Sequence, residues 1–212
     1  EVQILINLSG AGITDARWTE SRKKELIQSR VGTNEFLFNQ STAMTSLEQF
    51  ICSSGINAYG FQGGMAPFKE TDPFGSDFVS ELVRNWEISA DLFSGKCKVC
   101  KIRTAVVLAK DGGALKKMLP PFKLGLGGVI GNGEQYMSWI HLDDLVAIID
   151  FLLQNPSLSG VFNATAPMAV TNKQWTKILA ERLSKPTLLP MPAIVVKLLF
   201  GEMSELLLFG QN

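Results

Sequence analysis

The residue types that most often support metal or redox chemistry are scarce in this chain. His141 is the single histidine, so it has no second imidazole with which to build a metal cluster. Cys97 and Cys100 have the Cys-x-x-Cys spacing of zinc and thiol redox sites. They fall in a β-rich run, however, and positions i and i+3 of a strand point to opposite faces. We therefore expect both cysteines to be structural and the chain to hold no metal.

Serine and tyrosine hydroxyls are the remaining candidates for acid–base chemistry. Ser53 and Ser54 end an apolar run, where a serine is more often a turn residue than a catalytic one. Tyr59 lies in the glycine-punctuated loop that follows. A tyrosine serves as an acid or base near neutral pH when a neighbouring cation lowers the pKa of its phenol.

The elements that must position these side chains alternate between strands and helices. Apolar runs bounded by turn residues predict strands over residues 2–8, 47–53, 97–108, 138–142 and 161–163. Helical spacing predicts helices over residues 19–41, 77–92, 143–154, 171–183 and 195–208, with Asp143 or Asp144 as the cap of the third. Residues 120–133 are rich in proline and glycine and predict a loop. The alternation favours an α/β fold with a parallel sheet covered on both faces.

One glycine run inside that loop resembles a phosphate-binding turn. Residues 125–131 read GLGGVIG, but their spacing is GxGxxxG, and a proline-bearing loop precedes them where the phosphate-binding fingerprint needs a strand. We interpret the run as loop architecture on the substrate side.

Composition excludes several classes of function. The 212 residues contain 20 Lys and Arg against 20 Asp and Glu, without the basic block expected of a nucleic-acid binder. The longest apolar stretches, 145–153 and 194–200, are far shorter than the ~20 residues of a membrane-spanning helix. Three cysteines argue against a secreted disulfide framework. We expect a cytoplasmic protein, or one of an organelle stroma or matrix if a transit peptide precedes the chain.

Short runs spread in order over nearly the whole chain share the pattern of one family. They include INLSG at residues 6–10, RWT at 17–19, RTAVVL at 103–108, MLPPF at 118–122 and WIHLDD at 139–144. In these runs the chain resembles the atypical, epimerase-like branch of the extended short-chain dehydrogenase/reductase superfamily. Members of that branch are NADP-dependent oxidoreductases or relatives of nucleotide-sugar epimerases. The resemblance implies a Rossmann-like, doubly wound parallel sheet with a small C-terminal helical subdomain.

The resemblance also implies how the chain is divided. Residues 1–155 would be the remainder of an NAD(P)-binding Rossmann domain with a substrate-side loop at about 112–136, and residues 156–212 a truncated substrate-side subdomain. Residues 2–8 would be the fourth strand, and the family's glycine fingerprint for the pyrophosphate would precede Glu1. We therefore interpret the chain as an interior piece, and we expect that piece alone to expose an aggregation-prone strand edge.

The family's cofactor contacts, carried over by position, fall on Leu8, Ser9, Gly10, Glu25 and Arg30. The implied cofactor is NADP in preference to NAD. Arg30 would offer two parallel hydrogen bonds to phosphate or ribose oxygens. The alternative is that Glu25 and Arg30 are solvated charges on a helix face that pair with Arg22 or Lys24.

The family's hydride chemistry uses a Tyr-x-x-x-Lys pair together with a nearby serine or threonine. Val79 and Val83 stand at the offsets of the pair, so the pair is absent. Ser54 stands where the family places its serine, with Ser53 as its competitor, and Tyr59 is the candidate substitute acid. The predicted catalytic residues are therefore Ser54 and Tyr59.

Two functions follow from these expectations. The first is an NADP-binding oxidoreductase or epimerase relative that acts on a small, sugar-like substrate of unknown identity. The second is a non-catalytic cofactor-binding scaffold or sensor that binds a protein partner, because relatives of this family have been linked to cell or plastid division. A homodimer is an open possibility, whereas no nucleic-acid or membrane partner is expected.

Overall fold

The computed structural model of the chain describes residues 1–61, 67–187 and 189–210. In chain order its strands are β1 Ile4–Asn7, β2 Gln49–Gly55, β3 Lys98–Thr104, β4 Val106–Ala109, β5 Tyr136–Met137, β6 Trp139–His141, β7 Gly160–Ala164 and β8 Val170–Thr171. Its α-helices are α1 Glu20–Ile27, α2 Thr33–Gln40, α3 Phe78–Asp91, α4 Gly113–Lys123, α5 Leu142–Gln154, α6 Asn172–Leu183, α7 Ala193–Phe200 and α8 Glu205–Leu208. A π-helical turn, Gln28–Gly32, joins α1 to α2.

The chain forms two compact units. The first contains Glu1–Gly60, Lys69–Thr104 and Asp143–Ala164. The second contains the described residues of Phe61–Phe68, Ala105–Leu142 and Thr165–Asn212.

A parallel sheet of order β1-β2-β3-β7 is the centre of the first unit. Helices lie on both of its faces. On one face Phe50 and Cys52 of β2 belong to a buried apolar cluster with Trp86 and Ala90 of α3. On the other face the Gln49 side chain donates a hydrogen bond to a carbonyl of α5. The predicted α/β class with a doubly wound parallel sheet is therefore confirmed.

The start of α3 is fixed by its cap, and its apolar face by aromatic packing. The Asp77 side chain accepts hydrogen bonds from the amides of Val79 and Ser80 at 3.0 and 3.1 Å, satisfying two amides that helix geometry leaves unpaired. Phe93, in the turn after α3, stacks on Phe50 with 4.2 Å between ring centroids. These contacts hold α3 against the strands whose ends form the site described below.

The second unit holds two small sheets and four helices in the part of the chain that the structure describes. Strands β4 and β6 are parallel, and β5 and β8 are antiparallel. Helix α6 begins with a capping box, in which Thr171 and Gln174 each bond the backbone amide of the other. The prediction of a capped helix over residues 171–183 is confirmed.

Two predictions about strands and loops are wrong. The run 97–108 is not one strand, because the chain passes from β3 to β4 at Ala105 and β4 pairs with β6 instead of continuing the main sheet. The expected loop over residues 120–133 begins later, since α4 continues through Pro120 and Pro121. The two prolines lack amide donors, but their carbonyls still accept hydrogen bonds from Leu124 and Leu126.

The predicted cap of α5 is also wrong. The helix begins at Leu142, directly after β6, and places Asp143 and Asp144 in its first turn. Their carboxylates still favour this end of the helix because its unpaired amides carry partial positive charge.

Strand β1 lies at an edge of its sheet. In the described part of the chain β1 pairs with β2 alone, and the Ile6 side chain is 41% exposed. Strand β1 thus presents unpaired backbone groups beside exposed apolar side chains.

None of the described helices combines the length and the apolar character that crossing a bilayer requires.

Candidate functional site

The first unit contains a cleft of about 250 Å³ where β1 and β2 end. Its lining is Leu8, Ser9, Gly10, Ile13, Arg30, Ser53, Ser54, Gly55, Asn57, Val79, Leu82, Val83 and Trp86. In open α/β sheets, ligands bind outside the carboxyl ends of the strands, which is where this cleft lies. The structure therefore brings together four predicted cofactor residues and one predicted catalytic residue, Ser54.

Arg30 reaches the cleft from the π-helical turn and is 8% exposed. Its guanidinium donates to the carbonyls of Leu26 and Ala11 at 3.0 and 2.9 Å. The guanidinium lies over the Trp86 ring, 5.0 Å from its centroid. A Cβ at residue 10 would come within 3.2 Å of the guanidinium carbon, so glycine at this position leaves room for Arg30.

The charge of Arg30 has no acidic partner among the residues that the structure describes. Burial lowers the pKa of Arg30, and the positive charge of Arg22 lowers it further. A buried charge without a counter-ion costs free energy, and an anionic ligand would offset that cost. Arg30 is consequently not a solvated surface charge, and it has the chemistry of an anion site.

Glu25 lies in a different environment. Its carboxylate pairs with Arg22 at 2.7 Å, and its side chain is 58% exposed. Glu25 does not line the cleft. This arrangement matches the alternative of an exposed ion pair on a helix face, and a cofactor contact by Glu25 stays a prediction.

A buried amide network holds the end of β1. Asn7 donates to the Asn34 side-chain oxygen at 2.7 Å, and Asn34 donates to the Ser89 hydroxyl at 3.0 Å. The oxygen of the Asn7 amide accepts from both the backbone and the hydroxyl of Ser9. The network joins β1, α2 and α3, and so sets the backbone path at Leu8, Ser9 and Gly10.

The loop after Gly10 is anchored by aromatic contacts. Trp18 donates its indole proton to the carbonyl of Ile13 at 2.9 Å. Its ring meets Phe78 edge-on at 5.2 Å, and the Lys23 ammonium lies 4.9 Å from the Phe78 ring centroid. These contacts fix the loop that carries Ile13 into the cleft.

Ser54 is bonded to a buried ion pair. Its hydroxyl lies 2.6 Å from a carboxylate oxygen of Glu87. The same carboxylate accepts two hydrogen bonds from Arg103, at 2.8 and 3.0 Å. Burial alone would lower the pKa of Arg103, but its hydrogen bonds to Glu87 and Tyr59 raise it above the ordinary value. Two N–H groups of Arg103 on the two oxygens of Glu87 form the paired geometry of a guanidinium and a carboxylate.

Tyr59, the second predicted catalytic residue, lies on the far side of Arg103. Its hydroxyl accepts from Arg103 at 3.0 Å and donates to Asn163 at 2.7 Å. The residue is 1% exposed, and burial raises the pKa of its phenol. Tyr59 does not line the cleft. A catalytic role for Tyr59 stays a prediction, and Arg103 and Glu87 connect its hydroxyl to Ser54.

Val79 and Val83 lie in the wall of the cleft, on α3. Both are buried. The positions predicted to correspond to the family's tyrosine and lysine therefore line the cleft, and they carry apolar side chains.

The cysteines and the histidine form no second centre in the described chain. All three cysteines are free thiols, and no group of three His, Cys, Asp or Glu side chains is suitably placed for a metal ion. Cys100 is buried in β3, while Cys97 precedes that strand. His141 is exposed at the end of β6.

Sequence reasoning assigned no role to Asn7, Asn34, Glu87 or Arg103, although all four are buried. A signal existed for two of them. Glu87 falls on the apolar side of α3, and Arg103 interrupts an apolar strand, where an uncompensated charge would be costly. The amide network has no comparable signal, because asparagines at strand and helix ends are common.

Residues 1–164 match the family described as the NAD dependent epimerase/dehydratase family. The chain belongs to this family. Epimerase family protein SDR39U1 of Mus musculus is 38% identical over 214 residues, which cover 99% of the chain and 73% of that protein. The chloroplastic SDR39U1 homolog of Arabidopsis thaliana is 39% identical over 98% of the chain, which spans 60% of the length of that relative.

A solved structure matches as well. Human epimerase family protein SDR39U1 (isoform2), crystallised with NADPH, has a TM-score of 0.91 and 35% identity. The match covers 100% of the chain and 73% of the human one. The predicted family is therefore confirmed, and so is the Rossmann-like fold.

Proposed function

We propose that this chain is part of an NADP-binding protein of the oxidoreductase or epimerase type, which acts on a small, sugar-like substrate. The dinucleotide would lie in the cleft, against Leu8, Ser9, Gly10 and Arg30. The observation that carries the proposal is the buried guanidinium of Arg30, which has carbonyl partners and no carboxylate in the described chain. An oxygen of a phosphate or a ribose would complete its hydrogen bonding.

The cleft suits a dinucleotide in other respects. Gly10 allows close approach of a ligand to the backbone at the end of β1, as phosphate and ribose groups require. Leu8, Ile13 and Val79 supply apolar walls that would exclude water from a planar ring. When bound, the cofactor supplies the hydride chemistry, and the residues of the chain orient it and shield it.

NADP is proposed over NAD because the human relative was crystallised with NADPH. Arg30 supports an anionic ligand in general, since a guanidinium pairs with any phosphate oxygen.

Titration of the full-length protein with NADPH, NADP⁺ and NADH tests this function. Trp86 lines the cleft, so bound cofactor should quench tryptophan fluorescence, and binding to the folded state should raise the melting temperature. We expect micromolar affinity for NADPH and weaker binding of NADH. If none of the three cofactors changes either signal, the proposal is wrong.

A non-catalytic scaffold or sensor is the second candidate. The observation in its favour is the pair of valines, Val79 and Val83, at the catalytic offsets in the cleft wall. A screen of alcohols and sugar nucleotides with NADP⁺, read at the absorbance of NADPH, separates the candidates. Turnover that is lost in Ser54→Ala or Tyr59→Phe favours the enzyme, whereas tight cofactor binding without turnover favours a scaffold that binds a protein partner.

A further inference from the structure

Two serine hydroxyls in the cleft direct their protons away from it. Ser9 and Ser54 lie at the ends of β1 and β2, and both line the cleft. The Ser9 hydroxyl donates to the Asn7 side-chain oxygen at 2.6 Å, and the Ser54 hydroxyl donates to Glu87 at 2.6 Å. A hydroxyl has one proton and two lone pairs, so each serine keeps only its acceptor capacity for a ligand.

The direction of the Ser54 bond follows from its partners. The Glu87 carboxylate receives two hydrogen bonds from Arg103, and all three residues are buried. An ionised carboxylate accepts and cannot donate. Ser54 must therefore be the donor, and this bond uses its only proton.

The direction of the Ser9 bond is fixed independently. The Asn34 amide donates to the backbone carbonyl of Trp86, which can only accept. The oxygen of Asn34 therefore faces Asn7 and accepts from its amide nitrogen, which turns the oxygen of Asn7 towards Ser9. Two separate hydrogen-bond networks thus make both serine hydroxyls donors towards the protein, which leaves both as acceptors towards the cleft.

We propose that Ser54 determines which ligand groups the cleft accepts: it takes a hydrogen bond from a hydroxyl or an amide N–H and offers none to a carbonyl. Glu87, held by Arg103, is the positioning residue that imposes this polarity. The inference rests on the proposed function, because it describes how the same cleft treats its ligand. It departs from the ordinary role of a serine that polarises a carbonyl by donating to it.

Two ligand groups have the required chemistry, and two arms of one experiment distinguish them. The carboxamide of the nicotinamide ring donates through its NH₂ group, whereas the 3-acetylpyridine analogue of NADP⁺ carries a methyl group there. A second ligand donates through a hydroxyl, for which cyclohexanol and cyclohexanone are the paired probes on protein saturated with NADP⁺. Dissociation constants for both pairs are measured with the full-length protein.

We expect the donor member of one pair to bind about threefold to tenfold more tightly, as one hydrogen bond provides. Ser54→Ala should abolish that preference. Ser53→Ala removes a hydroxyl from the adjacent cleft residue and should retain it. A preference in the first arm assigns the carboxamide to Ser54, and a preference in the second assigns a substrate hydroxyl.

Glu87→Asp separates positioning from support of the fold. It keeps the charge opposite Arg103 but withdraws the carboxylate by one methylene, which frees the Ser54 proton. The preference should then shrink or reverse, and a merely structural loss would weaken both members of a pair equally.

Other results overturn the inference. Equal affinities within both pairs in a protein that binds NADPH would refute it, and so would a preference that survives Ser54→Ala or disappears in Ser53→Ala. Absence of NADPH binding would instead refute the proposed function, so the two failures are distinguishable.

Discussion

The Arg30 guanidinium donates hydrogen bonds to backbone carbonyl oxygens, and its charge is the feature of the cleft from which we infer an anionic ligand. Its hydrogen bonds to Leu26 and Ala11 fix the guanidinium beside Gly10 and over the Trp86 ring. A side chain held in this way loses little conformational freedom when an anion binds. Substitution of Arg30 should therefore affect ligand affinity more than fold.

Arg30→Met should lower the affinity for NADPH by about tenfold to a hundredfold, because a hydrogen bond to a charged group contributes about 1.5–3 kcal/mol. Arg30→Lys should be intermediate, since an ammonium keeps the charge but not the two parallel donors. Isothermal titration calorimetry measures both. The matched control is Arg84→Met, which removes a half-buried arginine outside the cleft. Equal NADPH affinities of the Arg30→Met and Arg84→Met variants would contradict the proposed contact between Arg30 and the cofactor.

Cys52 gives a residue-scale prediction about pH. Burial raises the pKa of its thiol from 9.0 to about 12. Its contribution to stability is fully present below about pH 9, where the thiol is protonated in both states. It is lost as the pH rises towards about 12, because the unfolded thiol ionises first. The loss is at most about 1.4 kcal/mol per pH unit.

Urea unfolding of the wild type and Cys52→Ala at pH 7, 9 and 10.5 checks this. The alanine variant should be less stable at pH 7 but lose less stability on going to pH 10.5. The alanine variant should still lose some stability at pH 10.5, since Cys97, Cys100 and Tyr59 also have raised pKa values. Parallel curves for the two proteins would show that Cys52 does not titrate as described.

At the scale of elements, Asn34 joins β1, α2 and α3. Asn34→Ala should destabilise the protein by about 1–3 kcal/mol, because it leaves buried donors such as the Asn7 amide without an acceptor. The free energy of unfolding in urea measures the effect. Asn39→Ala, an exposed position on the same helix, is the matched control and should change stability by less than about 0.5 kcal/mol. If the two variants are equally stable, the network does not hold these elements together.

Local signals in the sequence predicted most of the elements. Thr19, Asp77 and Thr171 stand at the predicted starts of helices, and each side chain accepts a backbone amide there. The π-helical turn that places Arg30 was not predicted, because helical spacing over residues 19–41 does not reveal one extra residue in a turn. The burial of Arg30 could not be predicted either, because it depends on that turn.

The candidate site was predicted less completely than the elements. Leu8, Ser9, Gly10 and Ser54 meet in the cleft because parallel strands end at one edge of the sheet. The pairing of Glu87 with Arg103 depends on how α3 packs on β3, and the two residues are 16 positions apart. No local pattern specifies such a contact.

At the scale of the whole molecule, the exposed edge of β1 should control solubility. Ile6→Lys places a charge on that edge and should reduce aggregation of the 212-residue chain, as charges on natural edge strands do. Light scattering at increasing protein concentration measures the aggregation. Gln40→Lys adds the same charge at an exposed site on α2 and should have a smaller effect. An equal benefit from both variants would indicate net charge as the cause.

Hydrogen–deuterium exchange of the full-length protein with and without NADPH tests most directly whether the cleft holds the dinucleotide. We predict slower exchange in the peptides that contain residues 8–13, 26–34 and 53–57, which form the cleft and the turn of Arg30. Residues 94–98, at the opposite ends of the strands, should not change. Protection confined to residues outside the cleft, or no protection at saturating NADPH, would contradict the account.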